Sequence, residues 1–141
     1  MFNTEEKMVK FCVEKLDSIF NSIDAEKDII LEPAGLFGRP DIMINGDEII
    51  CIEAKLRNWK RAIRQAYRYK SFSEESYVFM DEAYIDSPLK NIEEFKKYNI
   101  GLCGVSKESI NVYYKPLDNK PFSEELYNKA KQLFEPVPLN A

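Results

Sequence analysis

Residues 41–70 constrain the fold most, because the spacing of their apolar residues changes from a strand pattern to a helix pattern within one short segment. Residues 41–44 and 49–55 are each typical of a strand, and Asn45-Gly46-Asp47 between them tolerates the positive φ angles of a tight hairpin. From 58 to 70 the apolar residues recur at helical spacing. The sequence therefore predicts a β-hairpin that is followed directly by a helix.

The rest of the chain alternates between helix and strand patterns. Further strands are predicted at 29–31, 77–80, 100–105 and 110–114. Further helices are predicted over 4–23 with Thr4 as N-cap, from Ser87-Pro88 onward with Ser87 as N-cap, and from Ser123 onward. The predicted order is α-β-β-β-α-β-α-β-β-α. Together with a length of 141 residues, it indicates a single α/β domain.

The composition excludes several kinds of catalytic site. Histidine is absent, which excludes Ser-His-Asp and Cys-His triads and metal centres bound by imidazole. The three cysteines are too widely separated for a Cys-x-x-Cys zinc site and are predicted to be buried. No apolar run reaches the roughly 20 residues that span a bilayer, and the N-terminus lacks a signal-peptide pattern, so a soluble cytoplasmic protein with no membrane contact is expected. Catalysis would depend on carboxylates, lysine, tyrosine or a metal ion.

The basic residues are unevenly distributed along the chain. Seven of the 20 lysines and arginines fall within residues 55–70, with no acidic residue among them. The rest of the chain has 13 basic residues against all 24 acidic residues. On the predicted helix, Lys60, Arg61, Arg64 and Arg68 share one arc. Such a stripe either follows a phosphate backbone or is merely solvated surface.

Asp41, Glu53 and Lys55 are charged residues in an otherwise apolar hairpin. Strand periodicity places Glu53 and Lys55 on one face of the sheet. It places the apolar residues Ile50, Ile52 and Ala54 on the other face. A buried carboxylate is costly unless a cation compensates, and two carboxylates brought together by a hairpin can share a divalent metal ion. The alternative is an aspartate in a turn and an exposed Glu-x-Lys pair at a sheet edge.

The length of the hairpin loop decides whether this metal site can form. A two-residue Asn45-Gly46 loop would place Asp41 on the face opposite to Glu53. A three-residue loop, with Ile44 paired to Glu48, would place both carboxylates on one face and gather the isoleucines of both strands on the other. We therefore expect an odd loop, or a bulge that restores the same parity.

Asp41, Glu53-Ala54-Lys55 and Gln65-x-x-x-Tyr69 resemble the motifs of the PD-(D/E)XK nuclease superfamily, and Pro40 precedes the aspartate as it does there. The nearest likeness is to RecB-like and type I restriction-subunit nuclease domains and to archaeal junction resolvases. The resemblance implies a restriction-endonuclease-like α/β fold, with a central mixed β-sheet flanked by helices. Its parts would be an α-β-β-β-α-β core over 4–80, an α-β-β-α extension over 81–135 and a tail at 136–141.

The resemblance also implies roles for the motif residues. Asp41, Glu53 and the backbone carbonyl of Ala54 would hold Mg²⁺ or Mn²⁺, which prefer oxygen ligands. Lys55 would approach the attacking water or the scissile phosphate. The residues expected to complete the catalytic set are Gln65 and Tyr69.

Members of this superfamily often supply one more glutamate from the first helix. Counting back from Val9 by three or four residues reaches Glu6 and Glu5, and we expect Glu6 to join the metal ligands. The alternative for either residue is a first-turn acid that complements the helix dipole.

The activity implied is Mg²⁺-dependent hydrolysis of DNA phosphodiester bonds. The residues expected to contact the nucleic acid are Arg39, Arg57, Lys60, Arg61, Arg64 and Arg68. RNA is an alternative substrate, because the same site would hydrolyse either backbone and no reader of the 2′-hydroxyl is identifiable. A non-catalytic nucleic-acid-binding or protein-interaction module on the same fold is a second alternative. Domains of this kind also act as homodimers or as subunits of larger DNA-processing assemblies.

Overall fold

A computed structural model describes residues 1–136, and residues 137–141, with most of the predicted tail, lie outside the described residues. The strands are β1 Ile29–Leu31, β2 Ile42–Asn45, β3 Ile49–Lys55, β4 Glu75–Asp81, β5 Gly101–Val105 and β6 Ile110–Tyr114. The helices are α1 Glu5–Lys15, α2 Trp59–Tyr69, α3 Asp86–Lys90, α4 Ile92–Tyr98 and α5 Glu124–Gln132. The predicted α/β class and the predicted mixed sheet are confirmed.

The sheet has six strands in the order β1-β2-β3-β4-β5-β6. The pairs β1–β2, β2–β3 and β5–β6 are antiparallel, whereas β3–β4 and β4–β5 are parallel. The parallel pairs require crossovers, which α2 and the α3–α4 segment supply. All seven residues of β4 are buried, as expected of a strand at the centre of a sheet with both faces covered.

Two helical predictions differ from the structure. The first helix ends at Lys15 and continues as a short 3₁₀ turn, but Ile19, Phe20 and Ile23 still pack on the same sheet face. The apolar spacing of residues 16–23 therefore indicates that this segment packs on the sheet, but not that it continues the helix. The predicted cap at Ser87 is also wrong, because α3 begins at Asp86 and the Ser87 hydroxyl instead accepts a hydrogen bond from the Trp59 indole.

Each face of the sheet carries its own core. On one face the even-numbered residues of β2 and β3, including Ile42, Ile44 and Ile52, pack with α1. On the other face the odd-numbered residues, including Met43 and Cys51, pack with α2, α4 and α5. This alternation follows from strand periodicity, and it places α2 on the face toward which the odd-numbered Glu53 points. Over residues 1–136 the structure contains no helix with the length and apolar character needed to cross a bilayer.

Candidate active site

The β2–β3 hairpin has an odd loop, as predicted. Asn45 pairs with Ile49, so the loop comprises residues 46–48, and the Gly46 N–H donates to the Glu48 carbonyl at 3.0 Å. The prediction that Ile44 pairs with Glu48 is wrong, because Ile44 pairs with Ile50, two residues further along the chain. The last residue of β2 that is paired is Asn45. The parity is unchanged by this shift. Asp41, one residue before the Ile42–Ile52 pair, therefore lies near the end of β3, where its charge acts on Glu53.

Asp41 lies just before β2, where the ladder between β2 and β3 opens. Its backbone N–H donates to the Ile52 carbonyl at 3.1 Å. Its carboxylate Oδ2 accepts the Ala54 N–H at 2.8 Å, in place of the next ladder bond. Because the N–H and C=O of one strand residue point toward the same neighbour, the Ala54 carbonyl faces the side on which Asp41 lies.

Glu53 is 4% exposed and is held by α2. The Tyr69 hydroxyl, at the end of α2, donates to Glu53 Oε1 at 2.5 Å and also lies 3.1 Å from the Arg39 carbonyl. A phenol has a single proton, so these two acceptors compete for it. Glu53 and Tyr69, which were both predicted as site residues, thus form one hydrogen-bonded unit that links β3, α2 and the loop before β2.

Lys55 connects this unit to α1. Its ammonium Nζ is 4.0 Å from Glu53 Oε2 and 3.9 Å from Glu5 Oε1. The second oxygen of Glu5 accepts the Leu56 N–H at 3.2 Å. The first turn of α1 therefore reaches the end of β3 through Glu5.

The expectation that Glu6 joins the site is corrected by this arrangement. The Glu6 side chain is 79% exposed and its carboxylate is 3.7 Å from the Lys10 ammonium, one turn along the same helix. The buried face of α1 is defined by Met8 and Cys12, not by the half-buried Val9. Glu5 lies three residues before Met8 and shares that face. The sequence does indicate Glu5 when the helical spacing is counted back from Met8 and not from Val9.

Two carboxyl groups of the site have raised pKa values. Burial, and then the charge of Asp41, raise the pKa of Glu53 to about 7, although the Tyr69 hydroxyl and Lys55 act in the opposite direction. Burial raises the pKa of Asp41 as well, against the Ala54 hydrogen bond and the charge of Lys55. The charge of Glu5 raises both values further. The site therefore holds more negative charge than its lysine compensates.

Gln65 lies one helical turn before Tyr69 on α2. Its side-chain oxygen Oε1 is buried and has no hydrogen-bond partner within residues 1–136. Buried polar atoms are nearly always paired, so this oxygen is available to accept a hydrogen bond from a water molecule or from another polar group.

The basic residues separate into two groups. Arg39 donates from Nε to the Glu32 carbonyl at 2.7 Å, and Arg57 lies over the Tyr84 ring and donates to its hydroxyl at 3.0 Å. These two side chains are exposed but engaged. The other four are exposed on α2, and in the described part of the chain none forms an ion pair within 4.0 Å: Lys60, Arg61, Arg64 and Arg68.

A second group of acids lies at the opposite end of β3 and β4. Carboxylate oxygens of Glu48, Glu75 and Asp118 lie within 4.8 Å of one another. Burial raises the pKa of Glu48 to about 7, and the pKa of Asp118 is lowered by hydrogen bonds with Glu48 and Glu75. Opposite shifts within one group are what carboxyls produce when they share a proton. This group was not identified from the sequence, because Asp118 lies far from the other two along the chain.

Comparisons with known proteins bear on the fold. No family model and no curated protein matches this chain. In structure it is similar to a protein of unknown function from Silicibacter pomeroyi, with a TM-score of 0.63 and 16% sequence identity over 94% of this chain and 84% of that one. At this identity the likeness shows that the two proteins share an α/β fold.

Proposed function

We propose that this chain is a metal-dependent nuclease of restriction-endonuclease-like fold that hydrolyses phosphodiester bonds of DNA. The observation that carries the proposal is the meeting of Asp41, Glu53 and Lys55 at the open end of the β2–β3 hairpin. The helix packed on the same face presents a stripe of basic residues to solvent. A carboxylate pair and a lysine beside a basic surface suit a polyanionic substrate that is cleaved with a cation.

The donor set fits a hard divalent cation. Asp41, Glu53 and the Ala54 carbonyl would hold Mg²⁺ or Mn²⁺, since all three offer the oxygen ligands that these ions prefer and Asp41 contacts the backbone of Ala54, next to Glu53. The raised pKa values of Asp41 and Glu53 reflect repulsion and burial that a cation would relieve. The unpaired oxygen of Gln65 is a further acceptor on the neighbouring helix. Once bound, the ion would lower the pKa of a water molecule and neutralise charge on the phosphate.

Lys55 is placed to contact the substrate. Its separations of about 4 Å from Glu53 and Glu5 are longer than those of close charge-assisted hydrogen bonds, and its side chain is 20% exposed. The ammonium therefore retains donors for a phosphate oxygen or for an attacking water. Tyr69 would fix the orientation of Glu53, which makes it a positioning residue.

The test is a cleavage assay on single-stranded, duplex and branched DNA and on RNA, each with Mg²⁺, Mn²⁺ or EDTA. We expect metal-dependent cleavage of DNA, with a loss of about 100-fold or more in Asp41→Asn, Glu53→Gln and Lys55→Ala. Glu48→Gln, which removes a carboxylate at the other end of β3, is the matched control and should retain activity. Circular dichroism verifies that each variant is folded.

Equal cleavage by wild type and the three site variants would identify a contaminant and overturn the proposal. Cleavage of RNA alone would assign the site to the alternative substrate. Folded wild-type protein that binds DNA but cleaves none of these substrates would favour the non-catalytic alternative.

A further inference from the structure

A groove of about 790 Å³ runs between α2 and α4. Four aromatic side chains contribute to its lining: Phe37, Trp59, Tyr67 and Tyr98. Trp59 is nearly buried, but Tyr67 is 43% exposed and Phe37 is 51% exposed. Tyr67 is supported from behind by edge contact with Tyr98 and by Phe122, with ring centroids 5.6 and 5.7 Å away. Tyr67 is thus packed against other rings while part of the aromatic surface remains open to solvent.

The charges around the groove are predominantly positive. Lys60, Arg64 and Arg68 line it from α2, and Glu94 is the acidic residue that lines it from α4. Two of the cations lie over aromatic rings, with the Arg68 guanidinium 5.7 Å from the Phe37 centroid and the Lys60 ammonium 5.7 Å from that of Trp59. Rings for stacking and cations for a backbone are what single-stranded nucleic acid requires. A duplex keeps its bases stacked inside and would leave the aromatic surface exposed.

The loop before β2 connects the groove to the carboxylate site along the chain. Phe37 lies on the groove and Asp41 lies in the site, four residues apart along the chain, which spans at most about 14 Å. Between them, the Arg39 carbonyl lies 3.1 Å from the Tyr69 hydroxyl, which also contacts Glu53. A strand bound in the groove would therefore lead toward the carboxylates.

We infer that the α2–α4 groove binds single-stranded nucleic acid by stacking bases on Tyr67 and Phe37, with the strand's phosphates on Lys60, Arg64 and Arg68. The inference rests on the proposed function for its biological meaning, since it makes a single-stranded segment the substrate of that site. Base stacking itself needs neither the metal nor the carboxylates, so it can be measured without cleavage.

The test is fluorescence anisotropy of the full chain in EDTA with labelled probes of about ten nucleotides. The probes are oligo-dT, an abasic strand of equal length, an oligo-U RNA and a DNA duplex. Wild type should bind oligo-dT at least about fivefold more tightly than the abasic strand, because one stacked base contributes about that factor. Oligo-U should also bind more tightly than the abasic strand, because every base offers a face for stacking.

Variants locate the stacking surface. Tyr67→Ala and the loop variant Phe37→Ala should each reduce the preference for oligo-dT over the abasic strand, whereas Tyr67→Phe, which keeps the ring, should retain it. Tyr113→Ala is the matched control, since Tyr113 is a similarly exposed tyrosine on β6, outside the groove. Thermal unfolding verifies the fold of each variant.

Equal binding of oligo-dT and the abasic strand by wild type would overturn the inference, as would tighter binding of the duplex. A preference that survives in both folded alanine variants would place stacking elsewhere. Binding of no oligonucleotide would also overturn it and leave an acidic amphipathic peptide as the occupant that suits the same surface. Base-dependent binding without cleavage would support the groove while contradicting the nuclease proposal, so the two fail separately.

Discussion

Glu53 is the residue whose ionisation couples the site to folding. Its side chain is 4% exposed, and its pKa is raised to about 7, mainly by burial and then by the charge of Asp41. In the absence of a cation, the folded protein therefore holds a proton on Glu53 over a pH range in which the unfolded chain has released it. Stability is highest on the acidic side of this range and falls as the pH rises.

This behaviour predicts a pH-dependent difference between wild type and Glu53→Gln. In EDTA, the free energy of unfolding of the variant relative to wild type should rise by up to about 3 kcal/mol between pH about 4.5 and pH about 7, because glutamine has no proton to lose. Urea denaturation over this range measures it, and the exposed Glu6→Gln is the control. A difference between wild type and Glu53→Gln that is the same at both ends of the range would contradict a raised pKa.

The first helix allows a matched comparison of two adjacent acids. Glu5 contacts Lys55 and the Leu56 N–H, whereas Glu6 pairs with Lys10 on the surface. Glu5→Gln should weaken cleavage by about tenfold, as loss of a supporting group at a metal site usually does, and Glu6→Gln should leave it unchanged. Single-turnover cleavage rates measure both. If Glu6→Gln caused the larger loss, the orientation of α1 described above would be wrong.

At the scale of elements, strand periodicity predicted more than helical spacing did. The alternation of apolar residues predicted the parity of the β2–β3 pairing, although the pairing itself is shifted by two residues from the predicted one. Helical spacing predicted α2, and the residue types of Thr4 and Ser123 predicted where α1 and α5 begin. Helical spacing could not distinguish a helix from a packed turn after Lys15. The groove could not be predicted either, since it depends on how α4 packs beside α2.

The loop before β2 predicts a contrast between two glycines. Gly35 and Gly38 both have positive φ, of 87° and 85°. A Cβ at Gly35 would meet nothing within 4 Å, whereas one at Gly38 would lie 2.9 Å from Cε1 of the Tyr69 ring. Both alanine variants should lose about 1 kcal/mol from backbone strain, and Gly38→Ala should lose about 1–3 kcal/mol more. Equal free energies of unfolding in the two variants would show that the loop does not hold Tyr69.

The basic face of α2 predicts how the proposed DNA binding depends on salt. Reversing three of its charges should weaken binding to all sequences and reduce the slope of log K against log salt by about 2 or more, because fewer counterions are released. The variant is Arg61→Glu, Arg64→Glu and Arg68→Glu. A control with the same net charge reverses three exposed lysines of α1: Lys7, Lys10 and Lys15. If both triple variants lost the same slope, net charge and not α2 would explain the effect.

At the scale of the whole molecule, the sheet carries carboxylates at both ends of β3. Asp41 and Glu53 lie at its C-terminal end with Lys55, Tyr69 and α2, whereas Glu48 precedes its first residue and lies near Glu75 and Asp118. Both groups offer carboxylate oxygens, but their surroundings differ. Only the first lies beside the basic helix and the aromatic groove. The proposed function therefore assigns the metal to the end of β3 that carries Asp41 and Glu53.

The most direct measurement is isothermal titration calorimetry of Mn²⁺ at mildly alkaline pH, with wild type, Glu53→Gln and Glu48→Gln. We expect wild type and Glu48→Gln to bind the ion with the same affinity, and Glu53→Gln to lose binding by about 10-fold or more. Binding that is lost in Glu48→Gln and retained in Glu53→Gln would place the metal at the opposite end of the sheet and contradict the proposed active site.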